Sequence, residues 1–345
     1  MWTSPISYPP DPAGRSGGAG AEFASFADPA SGPSPPWATV TPGPSLCMSP
    51  FLFLRQLLES RLDPTAGKWL KQASGEIGDQ VTDSRFCGLL SLASRHARRD
   101  VLDLTEKELA QAGKVMEGWH PERWSQLDAV RAVLVLSRPD LAQEAGALAV
   151  EEAFKYADEG ELCALYRSLA LLPEPERFVW RAGEGCRSNM RTVFEAAALD
   201  TPYPVRFFDD LAWHQAIIKC LFIEAPLWRM WGLDQRLSPE LARMALDLAD
   251  ERRSAGRAVQ HELWLCLGEH GGERGLDALE VEISTENRNS LGRRAAAYGL
   301  ARAGETKRLE EFLQAESDGD VRKVMEDALS GNTGSAVFGK LQPEN

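Results

Sequence analysis

The chain has 345 residues, with 38 Lys and Arg against 51 Asp and Glu, for a formal net charge of -13. That acidic balance opposes binding to a phosphate backbone or an anionic lipid surface and makes nucleic acid a disfavoured partner. The longest apolar runs, such as Ala132 to Leu136, fall far short of the ~20 residues that a membrane span needs.

In chain order, residues 1–46 come first, with ten of the 21 prolines, six of the 29 glycines and only four charged side chains. Such a segment buries too little apolar surface to offset chain entropy, so 1–47 is expected to be a disordered extension, with Met48 as the expected true start. From residue 49 onward apolar residues recur at three and four spacing, with no sustained alternation that would mark a strand. The spacing predicts helices over 49–60, 66–75, 79–97, 105–117, 122–137, 140–156, 159–171, 175–198, 205–223, 239–254, 258–267, 273–282, 288–303, 306–315 and 319–329. Thr105 with Glu108 forms a capping box, Ser238-Pro239 an N-cap with proline at the first helical position, and Gly256 and Gly304 mark helix stops. The reading is all-α, as an irregular α-solenoid with HEAT-like stacked pairs over 273–330 inside a helical domain of 48–330, followed by a flexible tail of 331–345.

Residues 161–219 carry charged, aromatic and proline residues inside otherwise apolar helices. Pro173 and Pro175 stop one helix and start another. In the helix that follows, Val179, Ala182, Cys186, Met190, Val193 and Ala197 form the buried stripe. Arg181, Glu184, Ser188, Arg191 and Glu195 fall opposite, with Arg187 at the edge and Asn189 beside the stripe. Two mid-helix glycines, Gly183 and Gly185, cost about 1 kcal/mol each relative to alanine, and make sense where a ligand or a neighbouring backbone comes close. Arginines beside such a groove can fork onto a carboxylate or phosphate, although a solvated face with an Arg191 to Glu195 pair explains the same charges.

The stiff connector Thr201-Pro202-Tyr203-Pro204 leads into a helix that is apolar nearly all round and is expected to be buried at the centre. Asp210, His214, Gln215 and Lys219 then point into packed surroundings. For Lys219 the leading expectation is an ion pair with an acid on an adjacent helix. His214 reads as a hydrogen-bonded core histidine before a proton shuttle, and Trp213 as core before ligand cage.

RHARR at 95–99 reads as a solvated helix end. Six cysteines (47, 87, 163, 186, 220, 266) lack a CxxC, which points to reduced thiols and a cytoplasmic location. HELWLCLGEH at 261–270 starts like a zincin helix, but Leu265 stands where the second histidine belongs, and Cys266 with His270 makes half a metal site at most. Neither a metal nor a cofactor is expected, and no nucleotide-binding or hydrolase motif is present.

Several segments in order, ALYRSLALLPEPE, RAGEGCRSNMRTVFEA, TPYP, FFDDLAWHQAIIKCLF and GLDQRLSPELARMALDLADERRSAGR, resemble the EboA family of metabolite traffic proteins, encoded in bacterial ebo gene clusters. The resemblance runs over about 49–315 and is dense over 161–257. By position it highlights Tyr166, Arg181, Glu184, Arg187, Asn189, Pro202, Tyr203, Pro204, Phe208, Trp213, Lys219, Glu251 and Arg257. The chain departs from the family at Thr201 and His214, where asparagine is usual, and at Arg253, where tryptophan is. The resemblance implies export of a small natural product toward the periplasm alongside companion Ebo proteins, one of them a UbiA-like membrane protein. It supplies no reaction.

The first functional expectation is therefore a non-catalytic binding or adaptor scaffold for a small metabolite. Its ligand-binding candidates are Tyr166, Arg181, Glu184, Arg187, Asn189, Tyr203, Trp213, His214, Lys219 and Arg257, around helices 175–198 and 205–223. The alternative is an enzyme using Glu184, His214 or Lys219 as acid or base in the same groove.

Overall fold

Caps and punctuation set the elements. In the computed structural model, which describes residues 48–284, 286–287 and 289–341, the chain is all-α. The 1–47 extension lies outside the described residues, as does 342–345 of the expected tail. The helices are α1 (Pro50–Glu59), α2 (Pro64–Gly78), α3 (Asp83–Leu92), α4 (Glu106–Val115), α5 (Gln126–Leu136), α6 (Glu144–Tyr156), α7 (Glu159–Ser168) and α8 (Val179–Arg187). They continue as α9 (Arg191–Ala198), α10 (Tyr203–Phe207), α11 (Asp210–Phe222), α12 (Pro239–Ser254), α13 (Gly272–Ile283), α14 (Ser290–Arg302), α15 (Thr306–Ala315) and α16 (Gly319–Leu329). Among the described residues there is no strand, only an isolated bridge between Val101 and Ser125.

The Thr105 to Glu108 capping box is present at α4, and equivalent boxes start α5 (Ser125, Asp128) and α7 (Asp158, Glu161), each satisfying two otherwise orphaned donors. Ser238 caps α12 as its sequence indicates. Gly256 and Gly304 adopt positive φ just past α12 and α14, the left-handed turn that ends helices without a Cβ penalty.

The packing is centred on α5, whose residues Leu127 to Val135 are all buried. α5 packs on α1, α2 and α7; α7 in turn packs on α9, and α8 lies against both α9 and α11. α12 bridges α11 to α13, while α14 packs on α13, α15 and α16. No helix among the described residues is long and apolar enough to cross a membrane.

Four expectations are corrected. The helix foreseen over 175–198 is a 3-10 turn (Pro175–Phe178) followed by α8 and α9, broken at Ser188-Asn189-Met190. There the Ser188 hydroxyl accepts the Met190 N–H (3.1 Å), offering the backbone an alternative to helix, and Met190 leaves the buried stripe. The helix foreseen over 205–223 splits at Phe208-Asp209, because Asp209 caps a new helix at the Ala212 N–H (2.7 Å) and Arg236 takes the carbonyls of Val205 (3.0 Å) and Phe208 (2.9 Å). The 258–267 helix is a tight 3-10 run, His261–Cys266. Residues 331–341 are not a loose tail: Val337, Phe338 and Leu341 are buried, Phe338 stacks near Tyr298 (5.8 Å), and Arg302 donates to the Thr333 carbonyl (2.6 Å). That segment is too short to show a period, so its burial left no pattern to read.

Candidate functional site

A cleft of about 270 Å³ opens between α8 and α11, lined by Gly183, Cys186 and Arg187 from α8, by Phe208 at the joint between α10 and α11, and by Ala212, Gln215, Ala216 and Lys219 from α11. The spacing on both helices is i, i+3, i+4, one face of each. Ala212, Gln215, Ala216 and Lys219 make one wall, and the small residues there leave the space that larger ones would fill.

The two glycines of α8 do different things. A Cβ on Gly185 would stand 2.7 Å from the Ala197 Cβ and from the Tyr166 ring, so Gly185 exists for close packing of α8 on α7 and α9. A Cβ on Gly183 would meet only the Arg187 guanidinium, at 3.4 Å. The bare backbone at Gly183 thus keeps the cleft open and lets Arg187 fold back along its own helix.

Arg187 is exposed and paired with Glu184 through its Nε (2.9 Å) and Nη2. Lys219 is half-buried, and its ammonium donates to the Asn189 side-chain carbonyl (3.3 Å) at the α8–α9 joint while lying 6.0 Å from the Phe222 ring. Among the described residues no carboxylate lies within ion-pair distance of it. The expected Lys219 ion pair is therefore absent, and a side-chain amide stands in its place.

α11 is not buried all round. Trp213, Ile217, Cys220 and Leu221 are sealed, but Leu211 and Phe222 are each 65 % exposed, Gln215 is exposed, and the Asp210 side chain is 87 % exposed in its pair with Arg236 (2.7 Å). Asp210 and Gln215 thus depart from the packed setting foreseen for them.

Of the ten candidates, Arg187 and Lys219 line the cleft, with Asn189 bonded to Lys219 and Glu184 held beside Arg187. The others do not line it, and all but Arg257 serve the scaffold. Tyr166 is core, packed on Phe154 (4.8 Å), and burial pushes its phenol up to about 12. Arg181 pairs with Glu151 and lies over the Phe154 and Trp180 rings (5.0 and 4.8 Å). Tyr203 is buried and donates to the Pro175 carbonyl, tying α10 to the turn before α8. Trp213 is fully buried, its indole N–H on the Arg236 carbonyl (3.2 Å). Arg257 is exposed on the loop after α12 and is not a lining residue.

His214 sits ~140° around α11 from Lys219 at ~100° per residue, facing α12. Its Nε2 is 3.0 Å from the Ser238 hydroxyl, which also accepts the Leu241 N–H (3.1 Å). Burial lowers the His214 pKa, against the opposing pull of Asp210, which suits a neutral ring accepting the Ser238 proton. It is a core histidine. Glu184, His214 and Lys219, the trio of the acid–base alternative, do not converge. Cys186, the remaining titratable group in the cleft, is a buried thiol raised to about 12 by desolvation and is a poor nucleophile there. Among the described residues no three His, Cys, Asp or Glu side chains converge in a way that would hold a metal ion.

Sequence reading missed Gln215 as a wall residue, and it missed Arg229. That guanidinium is held by Asp200 (Nε to Oδ2 3.1 Å) and by Glu195 (2.9 Å), and Glu195 is shared with Arg191 (2.8 Å). Burial would raise the Glu195 pKa, but the two arginines outweigh it and hold it low. No periodic signal exposes Arg229, because it lies on a 3-10 turn (Leu227–Arg229) in the irregular stretch between α11 and α12.

A family model described as "Metabolite traffic protein EboA" matches residues 51–268, more than half of the chain and the whole of the α8–α11 region. The chain belongs to the EboA family. The match ends before α13, so α13 to α16 lie outside it, short of the residue 315 to which the resemblance was drawn. Comparison with curated proteins and with solved structures gives no significant match. Within this EboA chain, the family-highlighted Arg187, Phe208 and Lys219 line the cleft and Asn189 is bonded to Lys219, whereas the highlighted Trp213 and Tyr203 hold its walls in place.

Proposed function

We propose that this EboA protein is a non-catalytic accessory in small-metabolite traffic, and that the α8–α11 cleft is where it holds its metabolite. The observation that carries the reading is the coincidence of an open cleft with a lysine that no carboxylate neutralises, inside the stretch the family model covers. A structural cation in a helical core is normally matched by an acid, as Arg229 is here. Binding rather than chemistry is favoured because the cleft gathers Lys219, Arg187 and a high-pKa thiol but no acid and base facing a common point.

The finer parts of the proposal follow from the family. The protein works with other Ebo proteins, including a UbiA-like membrane protein, and helps move its metabolite toward the periplasm. A cytoplasmic location is proposed with it, supported by the free thiols at Cys87, Cys163, Cys186, Cys220 and Cys266. HEAT-like pairing of α13 to α16 is also proposed, supported by the close approach at Gly299, where a Cβ would lie 2.5 Å from Leu279.

The test is mass spectrometry of small molecules released from protein purified from its native host, comparing wild type with Gln215→Trp. Gln215 is exposed, so a tryptophan there blocks the cleft without disturbing the core. A compound present with the wild type and depleted from the variant is the expected result. Equal content in both would overturn the reading.

A further inference from the structure

We infer that the cleft selects a small organic anion, an acidic group on an apolar body, with Lys219 as the residue that recognises the acid. This rests on the cleft being the binding site and adds the chemical class of what it takes.

The charges around the cleft come from both helices and from the joint between them. On α8, Arg187 is largely spent on Glu184. At the start of α11, Asp209 caps the helix and Asp210 pairs with Arg236. At the joint, Asn189 brings only a neutral carbonyl, on which Lys219 rests at 3.3 Å. The Lys219 ammonium is therefore left with no carboxylate within ion-pair distance, at the exposed edge of a cleft wall, in a chain whose overall charge is -13. An ammonium held at a cleft edge without an acid stays free to pair with one that a ligand brings. An amide oxygen orients the ammonium without neutralising it, so a bound anion gains a charge-assisted hydrogen bond that water gives less well.

The rest of the cleft is built for an apolar body. Gly183, Cys186, Phe208, Ala212 and Ala216 line it, and none of these offers a side-chain charge. At about 270 Å³ it lies just under the ~300–1,000 Å³ of common ligand pockets, so a larger body extends past the rim. The rim is apolar where such a body would emerge. Leu211 is four residues before Gln215 and Phe222 three after Lys219, both 65 % exposed, and Trp180, three before Gly183, is 64 % exposed. Three large apolar side chains left in water on the two helices that frame one cleft are accounted for by a ligand that covers them.

The probes are 8-anilinonaphthalene-1-sulfonate, an aromatic anion, and N-phenyl-1-naphthylamine, the same body without the acid, each titrated by fluorescence. The expected result is that Lys219→Met weakens the anion about tenfold or more and leaves the neutral probe unchanged. Lys219→Arg stays within about threefold of wild type, and Gln215→Trp removes both. If Gln215→Trp removes both probes but Lys219→Met spares the anion, the cleft binds without selecting charge and this inference falls alone. If Gln215→Trp removes neither, the cleft reading falls as well. Should Lys219→Met not fold, salt decides on the wild type: anion affinity that drops with added NaCl while the neutral probe holds supports Lys219, and equal salt response overturns it.

Discussion

Arg229 and Lys219 are two cations in the same region, one on the turn after α11 and one on α11 itself, and they are treated in opposite ways. Arg229 is gripped by Asp200 and Glu195, and Glu195 is gripped again by Arg191. Lys219 has one amide oxygen and the edge of a cleft. The difference separates the two uses of charge in an apolar helical protein: closed networks hold elements in register, and a charge left open marks a surface that something else completes.

The comparison can be broken first at its closed end. Arg229→Leu takes from Asp200 its main partner and leaves Glu195 to Arg191 alone, and should cost about 3 kcal/mol in denaturant unfolding. A loss under 1 kcal/mol would show that the network is ornamental. The α8 glycines sharpen the same contrast. Gly185→Ala forces a Cβ into Ala197 and Tyr166 and should cost about 1–3 kcal/mol by overpacking. Gly183→Ala meets only the movable end of Arg187 and should stabilise by up to about 1 kcal/mol through helix propensity. Equal effects at the two positions would erase the distinction between packing and cleft.

A third break uses pH. Desolvation holds the His261 pKa down to about 4 from 6.5, with Arg294 adding to it. In the unfolded chain the ring takes up a proton near pH 6.5, whereas the folded ring resists until about pH 4. The unfolded state therefore binds more protons between those values, and stability falls as pH falls through that window, by about 2 kcal/mol at pH 5. Wild type should lose stability from pH 7 to 5, and His261→Phe should lose visibly less; parallel curves would contradict this. The smallest effect belongs to the open end. Lys219→Met should shift stability by no more than about 0.5 kcal/mol, since only an amide contact is lost, and a large loss would mean that Lys219 is structural.

Much of this was legible in the residues. The helical period from residue 49, the Thr105 and Ser238 caps and the turns at Gly256 and Gly304 are local signals, and local physics decides them. The paired glycines and the lysine on an apolar helix pointed at α8 and α11. What the sequence did not show depends on partners distant in the chain. Arg236 reaches back from an irregular stretch to end α10, and so cuts a helix that looks continuous over 205–223. His214 and Trp213 each read as core first, yet both stayed among the site candidates. Only the packing of α12 decides which face is sealed. Phe338 is buried by Tyr298 and its neighbours, although its own segment carries no period.

The most direct test of the central claim is methyl NMR of protein labelled with ¹³C at the alanine methyls, titrated with 8-anilinonaphthalene-1-sulfonate. Ala212 and Ala216 line the cleft, while Ala129 and Ala132 of α5 sit in the core away from its walls. The account predicts that the Ala212 and Ala216 methyls shift in wild type, that the α5 methyls stay still, and that the shifts vanish in Gln215→Trp. Saturable binding with the Ala212 and Ala216 methyls unmoved would contradict it.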